Sequence, residues 1–209
     1  MQTIQAIICF NGGSAGDFLA GICSDQLSGS SAYTIRNNGV VELSSTFKHT
    51  TKADYFNSNA SVDSSNTLPV ENTHYYLDYY PKIAHKLYYI DYPDAMSRDI
   101  VDIFLFKRFA NDRVRMADFM KSSYTEPIQS KLNASNIVDA CEINWTKNIR
   151  SWRNNTLLEP LYLQDLFDRS IFYNIVETVC QCKVKDYEKL AAGYDLWISK
   201  NDRLRQLFL

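Results

Sequence analysis

No excess of charge of either sign runs through this sequence: 22 lysines and arginines stand against 24 aspartates and glutamates, for a net charge of −2. That balance gives no support for bulk binding to nucleic acid or to an anionic membrane. Histidine is scarce, at three residues, and none is placed as a partner to the cysteines. The five cysteines, Cys9, Cys23, Cys141, Cys180 and Cys182, are odd in number, and the last two are spaced C-x-C. A zinc site is therefore not expected; buried free thiols in a reducing compartment are. A long hydrophobic run is also missing. The opening MQTIQAIICF has no basic region, and its apolar stretch is too short for a signal or a membrane span. The expectation is a cytoplasmic chain with neither a membrane nor a nucleic-acid partner, in which the Asn-x-Ser/Thr triplets at Asn59, Asn133, Asn144 and Asn154 are chance matches.

What is present is an ordinary globular balance, 45% apolar and 22% charged, with 14 tyrosines and 11 phenylalanines. A chain of 209 residues buries roughly 70% of the surface its unfolded form exposes. Ile4 to Phe10 (IQAIICF) reads as a strand buried on both faces, ended by Asn11-Gly12-Gly13. A helix from about Gly16 to Gln26 follows. Ala32 to Ile35 and Val40 to Leu43 flank Asn37-Asn38-Gly39, the composition of a hairpin turn. Residues 45–67, rich in Ser, Thr, Asn and Asp, read as a long surface connection. Lys86 to Asp91 (KLYYID) is a second core strand. A helix begins near Pro93 and continues through Ile100, Ile103, Phe104 and Phe109 as far as Met120. Ile137 to Ile143 (IVDACEI) and Leu158 to Leu163 are weaker strands, Ile171 to Cys180 is helical, and Asp186 to Leu209 holds one or two helices. Strands alternating with helices predict a three-layer α/β/α domain over 1–209, with a short, mostly parallel sheet and a hairpin and loop insertion at about 32–67.

The turn Asn11-Gly12-Gly13-Ser14-Ala15-Gly16-Asp17 lies between a predicted strand and a predicted helix, where the carboxyl edge of a parallel sheet binds ligands. Glycines permit positive φ, successive amides then converge, and the helix N-terminus adds partial positive charge, so an anion is the natural guest. A Walker A loop is excluded: Asn11 stands at its first glycine, Asp17 at its lysine and Phe18 at its hydroxyl residue. The dinucleotide fingerprint lacks its first glycine for the same reason, although Arg36 would suit a phosphorylated ribose. The plainer reading is a tight turn with Ser14 as cap and Asp17 favouring the helix dipole.

Three segments, FNGGSAGDFLAGI (10–22), NTHYYLDYYPKIAHKLYYIDYPDAMSRDIVDIF (72–104) and LYLQDLFDRSIFYNIVETV (161–179), together resemble the sulfotransferase branch of the P-loop fold. The resemblance implies a group-transfer enzyme whose donor is 3′-phosphoadenylyl sulfate or a related adenine nucleotide, with no metal. It implies that Gly12, Gly13, Ser14, Ala15, Gly16 and Asp17 hold the donor's phosphate. His74, of the pair Thr73-His74, would be the base that deprotonates the acceptor, and Ser97 and Arg98 would contact a second phosphate. Where the family has a loop cation this chain has Gly13, its threonine pair is Gly16 and Asp17, and its strand-end arginine is Asp91 or Tyr92.

Other features carry alternatives. Tyr75, Tyr76, Tyr79, Tyr80, Tyr88, Tyr89 and Tyr92 form a cluster suited either to covering strand and helix edges or to docking a protein partner. The latter gives a non-catalytic interaction protein on the same scaffold. Lys107, Arg108, Arg113 and Arg115 read as a solvated face interrupted by Asp112 and Asp118. Glu142 and Asp165, each near the end of a predicted strand, are candidates for acid, base or ligand in one cleft.

Overall fold

The structure, a computed structural model, describes residues 4–28, 33–35, 41–43, 70–74, 76, 78, 80–121 and 128–209. The first apolar run forms β1 (Ile4–Cys9), in which Ala6, Ile7, Ile8 and Cys9 are all fully buried. Four consecutive buried residues on a strand require helices on both sheet faces. After β1 come α1 (Gly16–Ser28) and a short antiparallel pair, β2 (Tyr33–Ile35) with β3 (Val41–Leu43). The Asn37-Asn38-Gly39 turn, Arg36 and the 45–67 connection lie outside the described residues.

The main sheet has four strands, all parallel. β1 lies between β4 (Val70–Thr73) and β5 (Ala84–Asp91), and β6 (Glu159–Tyr162) pairs with the far side of β5. In this register Cys9 stands beside both Thr73 and Tyr89, so β1 and β4 end together and β5 runs two residues further, to Asp91. Two sets of helices cover the sheet. On one side α1 packs against β4, α6 (Arg169–Cys180) and α7 (Tyr187–Lys200). The other set is α2 (Ser97–Phe109), α3 (Arg113–Lys121) and α5 (Ile137–Arg153), which pack on one another. Two further short helices are α4 (Ile128–Lys131) and α8 (Asp202–Arg205), and Leu204 of α8 is buried against the body. The outcome is the expected α/β/α layout. Among the described residues no helix is long and apolar enough to cross a membrane.

Two expectations are corrected, and one strand was not foreseen. Ile137–Ile143 is not a strand but the start of α5, whose buried Ile137, Val138, Cys141, Trp145, Ile149 and Trp152 recur with helical spacing. The helix predicted to reach Met120 breaks after Phe109, because Ala110 and Asn111 both take left-handed φ, at 50° and 66°. The amide of Ala110 then donates to the Phe106 carbonyl at 3.0 Å, closing the helix end. Finally, Val70–Thr73 (VENT) is a strand that no alternation announces. It is held by backbone pairing to β1, and Ser24 Oγ of α1 both donates to the Val70 carbonyl and accepts its amide.

The cysteines follow expectation: Cys9, Cys23, Cys141 and Cys180 are buried, Cys182 partly so, and all five are thiols outside any disulfide. Burial pushes the Cys9 and Cys23 thiols well above the ordinary thiol range.

Candidate functional site at the glycine-rich turn

β1 and β5 are neighbours, yet the helices that follow them belong to different layers: α1 packs with α6 and α7, and α2 packs with α5. That divergence opens a crevice at the strand ends, in which both connecting turns meet. Asn11, the residue that displaces the first fingerprint glycine, ties the crevice together. Its Nδ2 donates to Tyr92 Oη at 2.8 Å and to the Trp145 carbonyl at 3.1 Å, and Asn148 Nδ2 donates to its Oδ1 at 3.1 Å. Asn11 is 1% exposed, so a fully satisfied side-chain amide here locks β1, β5 and α5 to one another.

The three glycines of the turn have separate reasons. Gly13 sits at φ 82°, where only glycine is unstrained. A side chain on Gly12 would press on Trp145 and Phe104 at 3.1–3.2 Å, and one on Gly16 would collide with the Phe10 ring. Ala15, by contrast, holds φ 66° without being glycine. Ser14 does not cap α1 as expected. Its Oγ donates back to the Asn11 carbonyl at 2.6 Å, and the residue is fully buried.

The turn borders a cavity of about 430 Å³. Phe10, Gly13, Ala15, Gly16 and Asp17 form one wall; Lys107 of α2, and Trp197 and Lys200 of α7 with the adjoining Asn201, form the other. Lys107 donates to Asn201 Oδ1, joining the two helices across it. Desolvation of the ammonium lowers Lys107 to about 8, although the residue as a whole is exposed. The aromatic floor is a run of stacked rings. Trp197 is parallel to Phe18 at 4.7 Å between centroids and lies 5.0 Å from Phe167, while Phe18 stacks on Phe172 at 5.6 Å. Trp197 therefore stacks with two protein rings.

Asp17 lies in this wall. Burial pushes its carboxyl above the usual range; the charges of His74 and Arg108, and a hydrogen bond donated by Asn72 Nδ2 at 2.9 Å, act in the opposite sense. His74, at the end of β4, has Nδ1 2.9 Å from the Phe10 carbonyl and its ring 4.4 Å from the Phe10 ring. A carbonyl oxygen only accepts, so Nδ1 carries the hydrogen, and in the neutral ring Nε2 is the basic nitrogen.

Of the residues singled out from sequence, Gly13, Ala15, Gly16 and Asp17 line the cavity, and His74 adjoins it through Phe10 and Asp17. Gly12 and Ser14 are packed beneath the turn. Ser97 is fully buried at the start of α2, accepting a hydrogen bond from Thr146 Oγ1 at 3.0 Å. Arg98 is drawn to Asp102, Asp139 and Glu142 along the α2–α5 surface, and neither Ser97 nor Arg98 lines the cavity. Glu142, expected at a strand end, is mid-helix and held by Arg98; Asp165 lies in the turn after β6. The two do not share a cleft. Lys107, read from sequence as part of a solvated face, is a cavity residue, whereas Arg108 stacks over Phe119 at 4.4 Å. Lys200 carried no signal: nothing local distinguishes it from any other lysine near a helix end.

Among the described residues no group of three His, Cys, Asp or Glu side chains comes together as metal ligands do. No family model, curated protein or solved structure matches the chain.

Proposed function

We propose that this chain is a sulfotransferase-like group-transfer protein whose cavity at the glycine-rich turn holds the phosphate end of an adenine nucleotide. One observation carries the reading: two lysines from helices remote in sequence, Lys107 and Lys200, face the strand–turn–helix across one cavity. The cation missing from the loop at Gly13 is thus supplied by the opposite wall. The first-turn amides of α1 and its dipole act in the same direction. Catalysis in such a site comes from positioning and from charge stabilisation of the transferred group, with His74 Nε2 as the base toward the acceptor hydroxyl.

The alternative, a protein partner on the tyrosine-rich region, has less support. Tyr80, Tyr88, Tyr89 and Tyr92 are all at most 4% exposed and belong to the core. Such a surface would have to rest on Tyr76, with Tyr75 and Tyr79 lying outside the described residues.

Adenosine 3′,5′-bisphosphate at a hundred times its Kd stabilises the folded state by about 2.7 kcal/mol, which for a domain of this size raises Tm by roughly 5–10 °C. Lys107→Ala with Lys200→Ala removes most of that rise. No rise at millimolar ligand in the unmodified chain overturns the reading. His74→Ala abolishes transfer and leaves the rise intact; retained transfer removes His74 from the mechanism.

A further inference from the structure

We infer, resting on the anion-site reading above, that Asp17 makes this cavity selective for a phosphate monoester, which carries a hydrogen, over a sulfate, which does not. The cavity wall mixes charges of both signs. Lys107 and Lys200 face the turn from α2 and α7, and Asp17 stands in the turn itself. Around Asp17 are Asn72 and His74 from the end of β4 and Arg108 from α2.

An anion seated between the lysines and the turn brings its oxygens against the Asp17 carboxyl. Two bare oxygens there repel each other. A single shared hydrogen turns that repulsion into a charge-assisted hydrogen bond, which is short and about twice as strong as a neutral one. A phosphate monoester loses its second proton near pH 6, so a P–OH is within easy reach at neutrality. Sulfate has none to offer. The direction in which burial moves the Asp17 carboxyl also favours keeping one hydrogen between the two groups.

The aromatic wall agrees with a compact charged guest. Trp197 already stacks with Phe18 and Phe167, so protein rings rather than a guest engage its ring surface. A phosphoric–sulfuric anhydride has no P–OH at the group nearest the turn. The cavity is therefore suited to the monophosphate end of a nucleotide such as adenosine 3′,5′-bisphosphate.

Calorimetric titration with inorganic phosphate and with inorganic sulfate at pH 7 decides the matter. The unmodified chain binds phosphate about tenfold or more tighter than sulfate, the effect of one charge-assisted hydrogen bond against one repulsive contact. In Asp17→Asn the side-chain amide donates to either ion, so the gap closes, chiefly because sulfate gains. Equal affinities in the unmodified chain, or an undiminished gap in Asp17→Asn, overturn selection by Asp17 while leaving the anion site standing. Binding of neither ion overturns the anion site and the selection together. The comparison of the two ions on the unmodified chain is decisive even if Asp17→Asn fails to fold.

Discussion

The ring of Phe10 occupies the space in which a side chain on residue 16 would begin: a Cβ added to Gly16 comes within 2.1 Å of Phe10 Cγ. The same ring packs on His74, and the Phe10 carbonyl accepts from His74 Nδ1. Gly16 thus lets the end of β1 fold over the start of α1, and Phe10 in that position seats the histidine. Gly16→Ala is expected to destabilise the chain by about 3 kcal/mol, at the upper end of overpacking. Urea unfolding measures the loss. In a Phe10→Ala background the same change should cost far less, because the colliding ring is gone; strictly additive effects would contradict the contact.

Ala15 is the reverse case. It holds φ 66° with a Cβ, a conformation that costs an L-residue roughly 1–2 kcal/mol and glycine almost nothing. Part of the relief is lost to the freer unfolded chain. Ala15→Gly should still stabilise by about 0.5–1 kcal/mol, read as a rise in Tm of roughly 1–4 °C. A fall in Tm would mean that the left-handed turn does not form.

Lys107 should impose two opposite pH dependences. Its folded value is near 8 against an ordinary 10.5, so between those values the unfolded state binds more protons and this group's contribution to stability rises with pH. Anion binding runs the other way, weakening as pH rises through about 8 and the ammonium loses its charge. Lys107→Arg, which stays charged throughout, should flatten the binding profile between pH 7 and pH 9.5. A profile already flat in the unmodified chain would exclude Lys107 from the site.

Far from the cavity, Lys189 Nζ of α7 donates at 2.5 Å to Oδ1 of Asp25 of α1, whose side chain is 3% exposed. Lys189→Met leaves a carboxylate facing the interior without its cation. The expected loss is about 2–3 kcal/mol, since removing one partner strands the other. Asp25→Asn with Lys189→Met should recover part of it. Equilibrium denaturation of the two variants checks the order.

Much of the scaffold was legible locally. The run IQAIICF, the helix after Gly16, the strand before Asp91 and the final helices each carry enough apolar periodicity to identify themselves. Two elements did not. IVDACEI is a seven-residue window in which strand and helix patterns cannot be told apart; only the later Trp145, Ile149 and Trp152 reveal the period of α5. VENT has no apolar alternation because, Val70 apart, the residues it buries are polar, Asn72 and Thr73, and its place in the sheet is fixed by hydrogen bonds to β1 and Ser24.

The site divides in the same way. From the sequence alone came a strand, a glycine-bearing turn and a helix with an aspartate in its first turn, since local sterics and the helix end dictate them. Which glycine serves φ and which serves packing depended on the partners: Phe10 against Gly16, and Phe104 and Trp145 against Gly12. The role of Asn11 as a buried tie, and the convergence of Lys107 and Lys200 on the turn, were decided only by the tertiary structure. Backbone conformation is a short-range property that neighbouring residues determine. A cavity's charge is the sum over walls brought together by the packing of helices far apart in the chain, and no local pattern encodes it.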